Sequence, residues 1–289
     1  MVIENKTFQK EREFYDSRDI ELVSCRFEGE EDGESAFKES REIRIRSCYF
    51  DLRYPFWHDT GVEISDTLLT PNCRAALWYS DKIRITDSRL HGIKALRECG
   101  DVSILGCDII SPEFGWFSCG IDISDSTAEG EYFMMRSKDL GFKNFTLNGK
   151  YSFQYIENAT FENCTLNTKD AFWHAKNITV RNSVVNGEYL AWYAENITFE
   201  NCKISGTQPL CYCRGLRLIN CEMEGADLAF ERSEVEASLS APVISIKNPL
   251  SGSITLPAVG EIISDYPEFE CKIKVSDKRK LMRSGLSQE

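Results

Sequence analysis

The chain has 289 residues, with 34 basic and 46 acidic side chains and a formal net charge of −12. This acidity argues against nucleic acid as the main partner, because phosphate binding depends on clustered lysine and arginine. No run approaches the roughly 18 apolar residues that span a bilayer, and the N-terminus has no apolar signal core. We therefore expect a cytoplasmic protein with neither a membrane nor a nucleic-acid partner.

The sequence contains twelve cysteines, and half of them share one position of the repeat described below. These six are Cys25, Cys48, Cys107, Cys164, Cys202 and Cys221. A cytoplasmic chain keeps its thiols reduced, and a small side chain at a fixed repeat position is typical of a core residue. We therefore expect buried free thiols and no disulfide framework.

Residues 1–19 precede the repeat and are rich in charge, with Phe8, Phe14 and Tyr15 interspersed. A solenoid needs its open end covered. This segment is therefore predicted to be an N-terminal cap.

Within residues 20–235 an apolar residue recurs, and its spacing settles to 19 residues from Val102 onward. We call it the opening position of each repeat. The opening positions are Ile20, Ile43, Val62, Ile83, Val102, Ile121, Leu140, Ala159, Ile178, Ile197, Leu216 and Val235. A second apolar residue follows two positions later, as Val180 follows Ile178. This alternation predicts a short strand with one buried face.

Four positions after the opening position, the residues are serine, aspartate, glycine or asparagine. They are Ser24, Ser47, Asp66, Asp87, Gly106, Asp125, Asn144, Asn163, Asn182, Asn201 and Asn220. Glycine, asparagine and aspartate tolerate left-handed backbone angles. The column therefore predicts a sharp bend between strands on every repeat.

Short strands separated by bends in a 19-residue unit predict one rung of a parallel β-helix. Leucine-rich repeats are the competing solenoid, but their leucine consensus is absent. The preferred hand of parallel crossovers predicts a right-handed coil. The predicted fold is all-β, a right-handed parallel β-helix of about 12 rungs in residues 20–235.

Beyond Val235 the pattern weakens, because prolines interrupt it and the bend residues are lost. Ile254 and Ile273 still fall on the 19-residue lattice. Residues 236–275 are therefore predicted to be irregular last rungs with a C-terminal cap, and residues 276–289 a polar tail.

Seven short motifs carry a resemblance to a known family. They are Glu34-Ser35, Tyr54-Pro55-Phe56-Trp57, Arg74-Ala75-Ala76-Leu77-Trp78-Tyr79, Lys169-Asp170-Ala171-Phe172-Trp173, Gly187-Glu188-Tyr189-Leu190, Leu228-Ala229-Phe230-Glu231 and Asn248-Pro249-Leu250-Ser251-Gly252. Through them nearly the whole chain resembles a bacterial family with no assigned function. The resemblance implies a pectin-lyase-like right-handed β-helix and transfers no catalytic residues. Members are sometimes labelled hydrogenases, but the paired Cys-x-x-Cys motifs of a nickel–iron site are missing.

All the tryptophans fall five positions before an opening position. They are Trp57, Trp78, Trp116, Trp173 and Trp192. The column before them is apolar, so strand alternation predicts an outward aromatic stripe that binds a carbohydrate or a second copy of the chain. The alternative is a structural ladder of aromatic rings that lies inside the coil or is packed under a loop or another subunit. It is supported by the small residues two positions further on, which share the strand parity of the tryptophans.

Other candidate ligand-binding residues flank the tryptophans. They are Tyr79, Arg97, Arg136, Asp170, His174, Glu188 and Tyr193. The carboxylates leave open a carbohydrate-active enzyme, a lyase or glycoside hydrolase, since hydrolysis uses carboxyl pairs about 5–9.5 Å apart. Arg97 and Arg136, two rungs apart, could bind an anionic sugar. The competing interpretation of each is a solvated surface charge.

No metal or cofactor is expected. His58 and His174 share a column but lie six rungs apart, about 29 Å at the usual strand spacing. A zinc site of histidine and cysteine ligands therefore has no support from their spacing.

Overall fold

The computed structural model describes residues 1–30, 33–223 and 225–276, and these residues form strands, bends and turns but no helix. They wind into a parallel β-solenoid of right-handed type, with about 14 turns of about 19 residues. In this part of the chain no helix has the length and apolar character needed to cross a membrane. The predicted all-β parallel β-helix is confirmed.

The first sheet runs the whole length of the coil, and each strand pairs in parallel with the strand one turn before it. Its strands are Val2–Glu4, Arg18–Val23, Arg41–Arg46, Thr60–Ser65, Asp81–Thr86, Gly100–Leu105, Cys119–Ser124, Lys138–Lys143, Glu157–Glu162, Lys176–Arg181, Glu195–Glu200, Leu216–Cys221, Glu234–Leu239, Ser251–Leu256 and Glu270–Val275.

The second sheet lies on the next side of the coil. Its strands are Thr7–Phe8, Arg26–Phe27, Tyr49–Phe50, Leu68–Leu69, Arg89–Leu90, Asp108–Ile110, Thr127–Glu131, Thr146–Lys150, Thr165–Lys169, Val184–Asn186 and Lys203–Ser205. Two smaller sheets complete the fold. They contain Phe56–Trp57, Leu77–Trp78 and Leu96–Arg97, and then Val243–Lys247 and Val259–Ile263.

The opening positions and the residues two positions later fill the core. Ile178 pairs in register with Ile197, and Val180 with Phe199, and all four are buried. Phenylalanines from the third side of the coil stack on one another in the same interior. The six cysteines predicted to be core residues are buried free thiols, which confirms that prediction. Burial of these apolar rows is the main force that holds the rungs together.

All eleven residues of the predicted bend column adopt the left-handed backbone, with φ between 47° and 65°. Along the later rungs the bend side chains also bind one another. Asn144 donates to Asp125 at 2.7 Å, and Asn220 donates to Asn201 at 2.9 Å. The bend prediction is confirmed, and these bonds add a polar link between rungs.

Both ends of the coil extend the regular part. Residues 1–19, predicted to be a cap, contribute the strands Val2–Glu4 and Thr7–Phe8, which pair with the next rung. Ile254 and Ile273 lie in strands that continue the first sheet. Ser276 is the last described residue at this end, so the rest of the predicted polar tail, residues 277–289, lies outside the described residues.

Candidate functional site

From Glu113 to Arg232, the turn that leads into each first-sheet strand has left-handed backbone at every second residue. On one rung Asp170, Phe172 and His174 have φ of 55°, 59° and 55°. The N–H of His174 donates to the carbonyl of Trp192 on the next rung at 2.9 Å, and that of Phe172 donates to Ser152 on the previous rung at 3.1 Å. Bonds to both neighbouring rungs hold these bulky residues in a conformation they rarely adopt.

This backbone decides which side chains face solvent. Phe172 is buried, Trp173 is half-buried, His174 is exposed and Ala175 is buried. Strict strand alternation would turn His174 inward and Ala175 outward. The most exposed column is therefore the one that contains His174, one position after the tryptophans that were expected to form the outward stripe.

The five tryptophans are half-buried and lie outside the buried core. The indole N–H of Trp173 donates to the carbonyl of Tyr189 at 2.7 Å, and that of Trp192 donates to Gln208 at 2.8 Å. Trp116 makes the same kind of bond. Trp173 and Trp192 stack with their ring planes 3° apart. These contacts fasten one turn to the next, as in the structural alternative.

At the N-terminal end of this column, Trp57 and Trp78 make no such hydrogen bond from the indole N–H within the described residues. Trp57 and Trp78 stack with ring centroids 5.7 Å apart, and the ammonium of Lys38 lies 4.3 Å from the ring of Trp57. Within the described ranges their buried N–H groups have no hydrogen-bond partner. These two tryptophans therefore contribute packing and a cation–π contact without the bond made by the later ones.

The exposed column forms a second stack on five consecutive rungs, which we call the outer ladder. Its members are Arg136, Tyr155, His174, Tyr193 and Tyr212. Successive ring centroids are 4.9, 5.0 and 4.8 Å apart, with ring planes within 12° of parallel. The guanidinium of Arg136 lies 4.8 Å from the ring of Tyr155.

This stacking determines what a ligand can contact. Because each ring of the outer ladder covers the face of its neighbour, the rings present their edges to solvent. Those edges carry tyrosine hydroxyls and imidazole nitrogens, which both donate and accept hydrogen bonds. A sugar that stacks on an aromatic face therefore has no free face to occupy along the outer ladder.

A groove of about 490 Å³ runs beside the outer ladder, and we call it the ladder groove. Its lining residues are Arg136, Ser137, Lys138, Tyr155, Glu157, His174, Lys176, Tyr193 and Glu195. The outer ladder forms one wall, and charged residues at the start of successive first-sheet strands form the other. Buried small residues such as Ser137 and Ala175 separate the two walls along the chain.

The charged wall alternates in sign from rung to rung. Lys138, Glu157, Lys176 and Glu195 are neighbours in register on successive strands. The ammonium of Lys176 lies 3.2 Å from the carboxylate of Glu195. The ladder groove thus offers hydrogen-bond donors and acceptors on both walls.

Two of the candidates expected from the sequence lie on the N-terminal side of the ladder groove. Arg97 lies 5.4 Å from the ring of Trp116 and binds Glu98 at 3.3 Å. Tyr79 is exposed and stacks on His58 with ring centroids 5.0 Å apart. Arg97 is in the column of the tryptophans and Tyr79 is in the column of the outer ladder, but neither residue lines the groove.

The carboxylates expected from the sequence also lie outside the ladder groove. Asp170 is buried, and this burial raises its pKa more than the charge of Lys169 lowers it. Glu188 pairs with Lys169 at 3.2 Å. The acids that line the groove are instead Glu157 and Glu195.

One further carboxyl group is strongly perturbed. Asp59 is buried, with one carboxyl oxygen accepting the N–H of Ser40 at 2.8 Å and the other oxygen without a partner among the described residues. Burial, and to a smaller extent the charge of Glu39, raises the pKa of Asp59 to about 8. Asp59 is therefore not a solvated surface charge.

Each histidine contacts a different set of residues. His174 stacks between Tyr155 and Tyr193, and His91 lies 2.8 Å from Asp108. In the part of the chain that the structure describes, no group of three or more histidine, cysteine, aspartate and glutamate side chains could hold a metal ion.

Sequence reasoning included Arg136, His174 and Tyr193, which line the groove, but omitted Tyr155 and the charged wall. The omitted wall residues are Lys138, Glu157, Lys176 and Glu195. A signal was present, because a charged residue precedes the opening position by two places on four repeats in a row. That column becomes a wall only because the turn before it exposes the outer ladder.

The fold and the ladder groove define a parallel β-solenoid with an exposed aromatic ladder on one side. The chain belongs to the family described as "Protein of unknown function (DUF3737)", whose model matches residues 1–276. No curated protein matches the sequence.

The solved structures that are similar to this chain at low identity include a resistance protein, a protein involved in regulation and an enzyme. QnrB1, a plasmid-mediated fluoroquinolone resistance protein, is 13% identical, with 77% of this chain and 89% of that chain covered and a TM-score of 0.22. HetL, a pentapeptide repeat protein from the cyanobacterium Nostoc sp. strain PCC 7120 involved in heterocyst differentiation regulation, is 13% identical, with coverages of 80% and 87% and a TM-score of 0.27. The periplasmic alginate epimerase AlgG is 10% identical, with coverages of 90% and 76% and a TM-score of 0.26.

Proposed function

We propose that the protein binds a polysaccharide chain that lies in the ladder groove, parallel to the axis of the solenoid. The observation that carries this proposal is the outer ladder, in which Tyr155, His174 and Tyr193 present polar ring edges on successive rungs. Tyr155 and Tyr193 are 41% and 44% exposed. Contiguous exposed aromatic side chains on a soluble protein are typical of a binding surface.

The repeat of the solenoid favours an extended ligand. Each rung adds the same two walls about 4.8 Å further along the axis, so a ligand gains contacts only if it presents similar groups along its length. A polysaccharide does so, because every sugar carries hydroxyls that both donate and accept hydrogen bonds. Glu157 and Glu195 supply acceptors on the charged wall, and Lys176 supplies a donor.

Other extended partners fit the ladder groove less well. Nucleic acid is disfavoured because the outer ladder leaves no aromatic face free for base stacking, and the three basic side chains of the groove do not form a continuous cluster. A protein partner is the main competitor, since tyrosine and arginine are enriched at protein interfaces. The alternation of charge along the groove suits hydroxyl groups better than an apolar interface core.

A carbohydrate-active enzyme is the second candidate, because Glu157 and Glu195 both line the ladder groove. They lie two rungs apart, about 10 Å at the spacing of parallel strands, which is at the upper end of the separation used by inverting hydrolases. Glu195 is also paired with Lys176 at 3.2 Å. The geometry of the groove therefore favours a binding function over a hydrolytic one.

The test is a glycan array with the full chain, followed by calorimetric titration of the oligosaccharide that binds best. The double variant Tyr155→Ala with Tyr193→Ala should bind that ligand about tenfold more weakly for each lost hydroxyl contact. Mass spectrometry of the ligand after incubation decides the second candidate, since an enzyme would change its mass.

Tyr79→Ala is the matched control. Tyr79 is 39% exposed and stacks on His58 at 5.0 Å, so it resembles the groove tyrosines but lies outside the groove. Its loss should leave binding unchanged. The proposal fails if the wild type binds no glycan, or if Tyr79→Ala weakens binding as much as the double variant.

A further inference from the structure

We infer that the polysaccharide is anionic, and that one of its acid groups binds between Arg136 and Lys138; this inference rests on the proposed function. Both cations line the ladder groove and belong to the same rung. Arg136 is on the outer ladder, Lys138 is on the charged wall, and buried Ser137 lies between them in the chain. The two positive charges thus flank one end of the groove.

Neither of these cations is neutralised by an ion pair within the described residues. The guanidinium of Arg136 lies against the ring of Tyr155, 4.8 Å from its centroid. Lys176, the other cation of the groove, is paired with Glu195 at 3.2 Å. The uncompensated positive charge is therefore concentrated on the rung of Arg136 and Lys138.

The acids nearest to Lys138 are engaged or out of ion-pair range. Glu157 is its neighbour in register on the next strand but forms no ion pair with it in the described structure. Asp139 accepts hydrogen bonds from Asn158 at 2.9 Å and from the thiol of Cys119 at 3.3 Å. Neither acid forms an ion pair with Lys138 in the described structure, so its ammonium is available to a ligand.

A carboxylate or sulfate placed between Arg136 and Lys138 can accept hydrogen bonds from both walls at once. Charge-assisted bonds of this kind are roughly twice as strong as neutral ones. The remaining rungs, from Tyr155 to Glu195, then bind the hydroxyls of the following sugars. The rung of Arg136 selects an acidic sugar, and the remaining rungs bind hydroxyls of the polymer.

The test uses three hexamers titrated against the full chain by calorimetry. They are an α-1,4-linked hexagalacturonate, the neutral hexamer obtained by reducing its carboxyl groups, and a sulfated form of that neutral hexamer. We expect the acidic hexamers to bind about tenfold more tightly than the neutral one, the energy of one or two charge-assisted bonds. The tighter of the two acidic hexamers identifies carboxylate or sulfate as the preferred group.

The variants Arg136→Gln and Lys138→Gln should each weaken the acidic hexamer about tenfold and leave the neutral hexamer unchanged. Arg136→Lys should restore most of the preference, because it keeps the charge. Lys203→Gln is the matched control, since it removes an exposed cation that lies outside the groove and is paired with Glu222 at 3.1 Å. Circular dichroism shows whether each variant keeps the fold.

Equal affinity for the acidic and neutral hexamers overturns the inference but leaves polysaccharide binding intact. An unchanged preference in both Arg136→Gln and Lys138→Gln overturns it in the same way. Binding of none of the hexamers also overturns it, and the glycan array then decides whether the proposed function survives.

Discussion

Asp59 occupies a position that serine holds on the rungs on either side of it. Ser40, Asp59 and Ser80 are all buried, and the N–H of Asp59 donates to the hydroxyl of Ser80 at 3.0 Å. An aspartate in this position keeps the bond to Ser40 but adds a second carboxyl oxygen that has no partner within the described residues. With its pKa raised to about 8 by burial, the carboxyl group is protonated in the folded protein at neutral pH.

Asp59→Asn should therefore stabilise the protein by an amount that grows with pH. The unfolded aspartate ionises near a pKa of about 3.9, whereas in the folded protein it stays protonated up to about 8. Its contribution to the stability of the wild type is fully present below the unfolded pKa and is lost as the pH rises through the folded pKa. The difference in Tm between variant and wild type should be smallest near about pH 4 and largest near about pH 8.

The control for this comparison is Asp81→Asn, which removes the same charge from an exposed position. Its difference from the wild type should not follow the same pH course. A pH-independent effect of Asp59→Asn would show that the buried carboxyl is not protonated in the folded state.

Trp173→Phe should destabilise the protein by about 1 kcal/mol more than Trp78→Phe does. Both changes remove similar ring area, but only Trp173 loses a hydrogen bond, to the carbonyl of Tyr189 at 2.7 Å. Trp78 has a buried N–H without a partner in the described structure. Urea denaturation of both variants measures the difference. Equal losses would contradict the structural role given to the indole bond.

At the scale of the elements, rows of asparagine connect one strand to the next. Asn177 donates to Asn158 at 3.0 Å and accepts from Asn196 at 3.2 Å. Its φ is 57°. Asn177 thus adopts a left-handed backbone and also makes two hydrogen bonds between rungs.

Asn177→Ala should cost about 1–2 kcal/mol more than Asn177→Gly. Both variants lose the two amide bonds, worth about 0.5–1.5 kcal/mol each. Only alanine also strains the left-handed backbone, which glycine adopts freely. Chemical denaturation of both variants tests this order, and a glycine variant no more stable than the alanine variant would rule out backbone strain as the cause.

The six-residue strands could be predicted from the sequence, whereas the turn before them could not. Two alternating apolar positions mark a strand directly, because one face of the strand is buried. The turn places Phe153 and Tyr155 in left-handed backbone, with φ of 60° and 58°. Aromatic residues have no preference for that conformation, and bonds to the neighbouring rungs hold them in it. No local pattern could therefore reveal that the outer ladder is exposed.

At the scale of the whole molecule, the 19-residue period was enough to predict the solenoid, because one repeat makes one turn. The ends were harder to predict, since Val2–Glu4 extends the first sheet within the segment expected to be a cap, and the strand of Ile273 extends it where the bend residues are lost. The ladder groove was predicted only in part. Its nine lining residues come from four repeats, and they meet only when the coil stacks those repeats in register.

The charge of the molecule and the charge of the groove act over different distances. The chain carries −12 overall, yet three basic and two acidic side chains line the ladder groove. Salt screens exposed charges beyond about 8–10 Å, so a bound acid group responds mainly to the charges of the groove, Arg136 and Lys138 among them, rather than to the net charge of the chain. An acidic protein can therefore bind an acidic polymer at this one place.

The most direct measurement is a crystal structure of the protein soaked with the α-1,4-linked hexagalacturonate. Polysaccharide binding in the ladder groove predicts a sugar chain parallel to the solenoid axis, with hydroxyls at the ring edges of Tyr155 and Tyr193 and a carboxylate between Arg136 and Lys138. A hexamer bound to another face, or a ladder groove filled by a second copy of the chain, would contradict it.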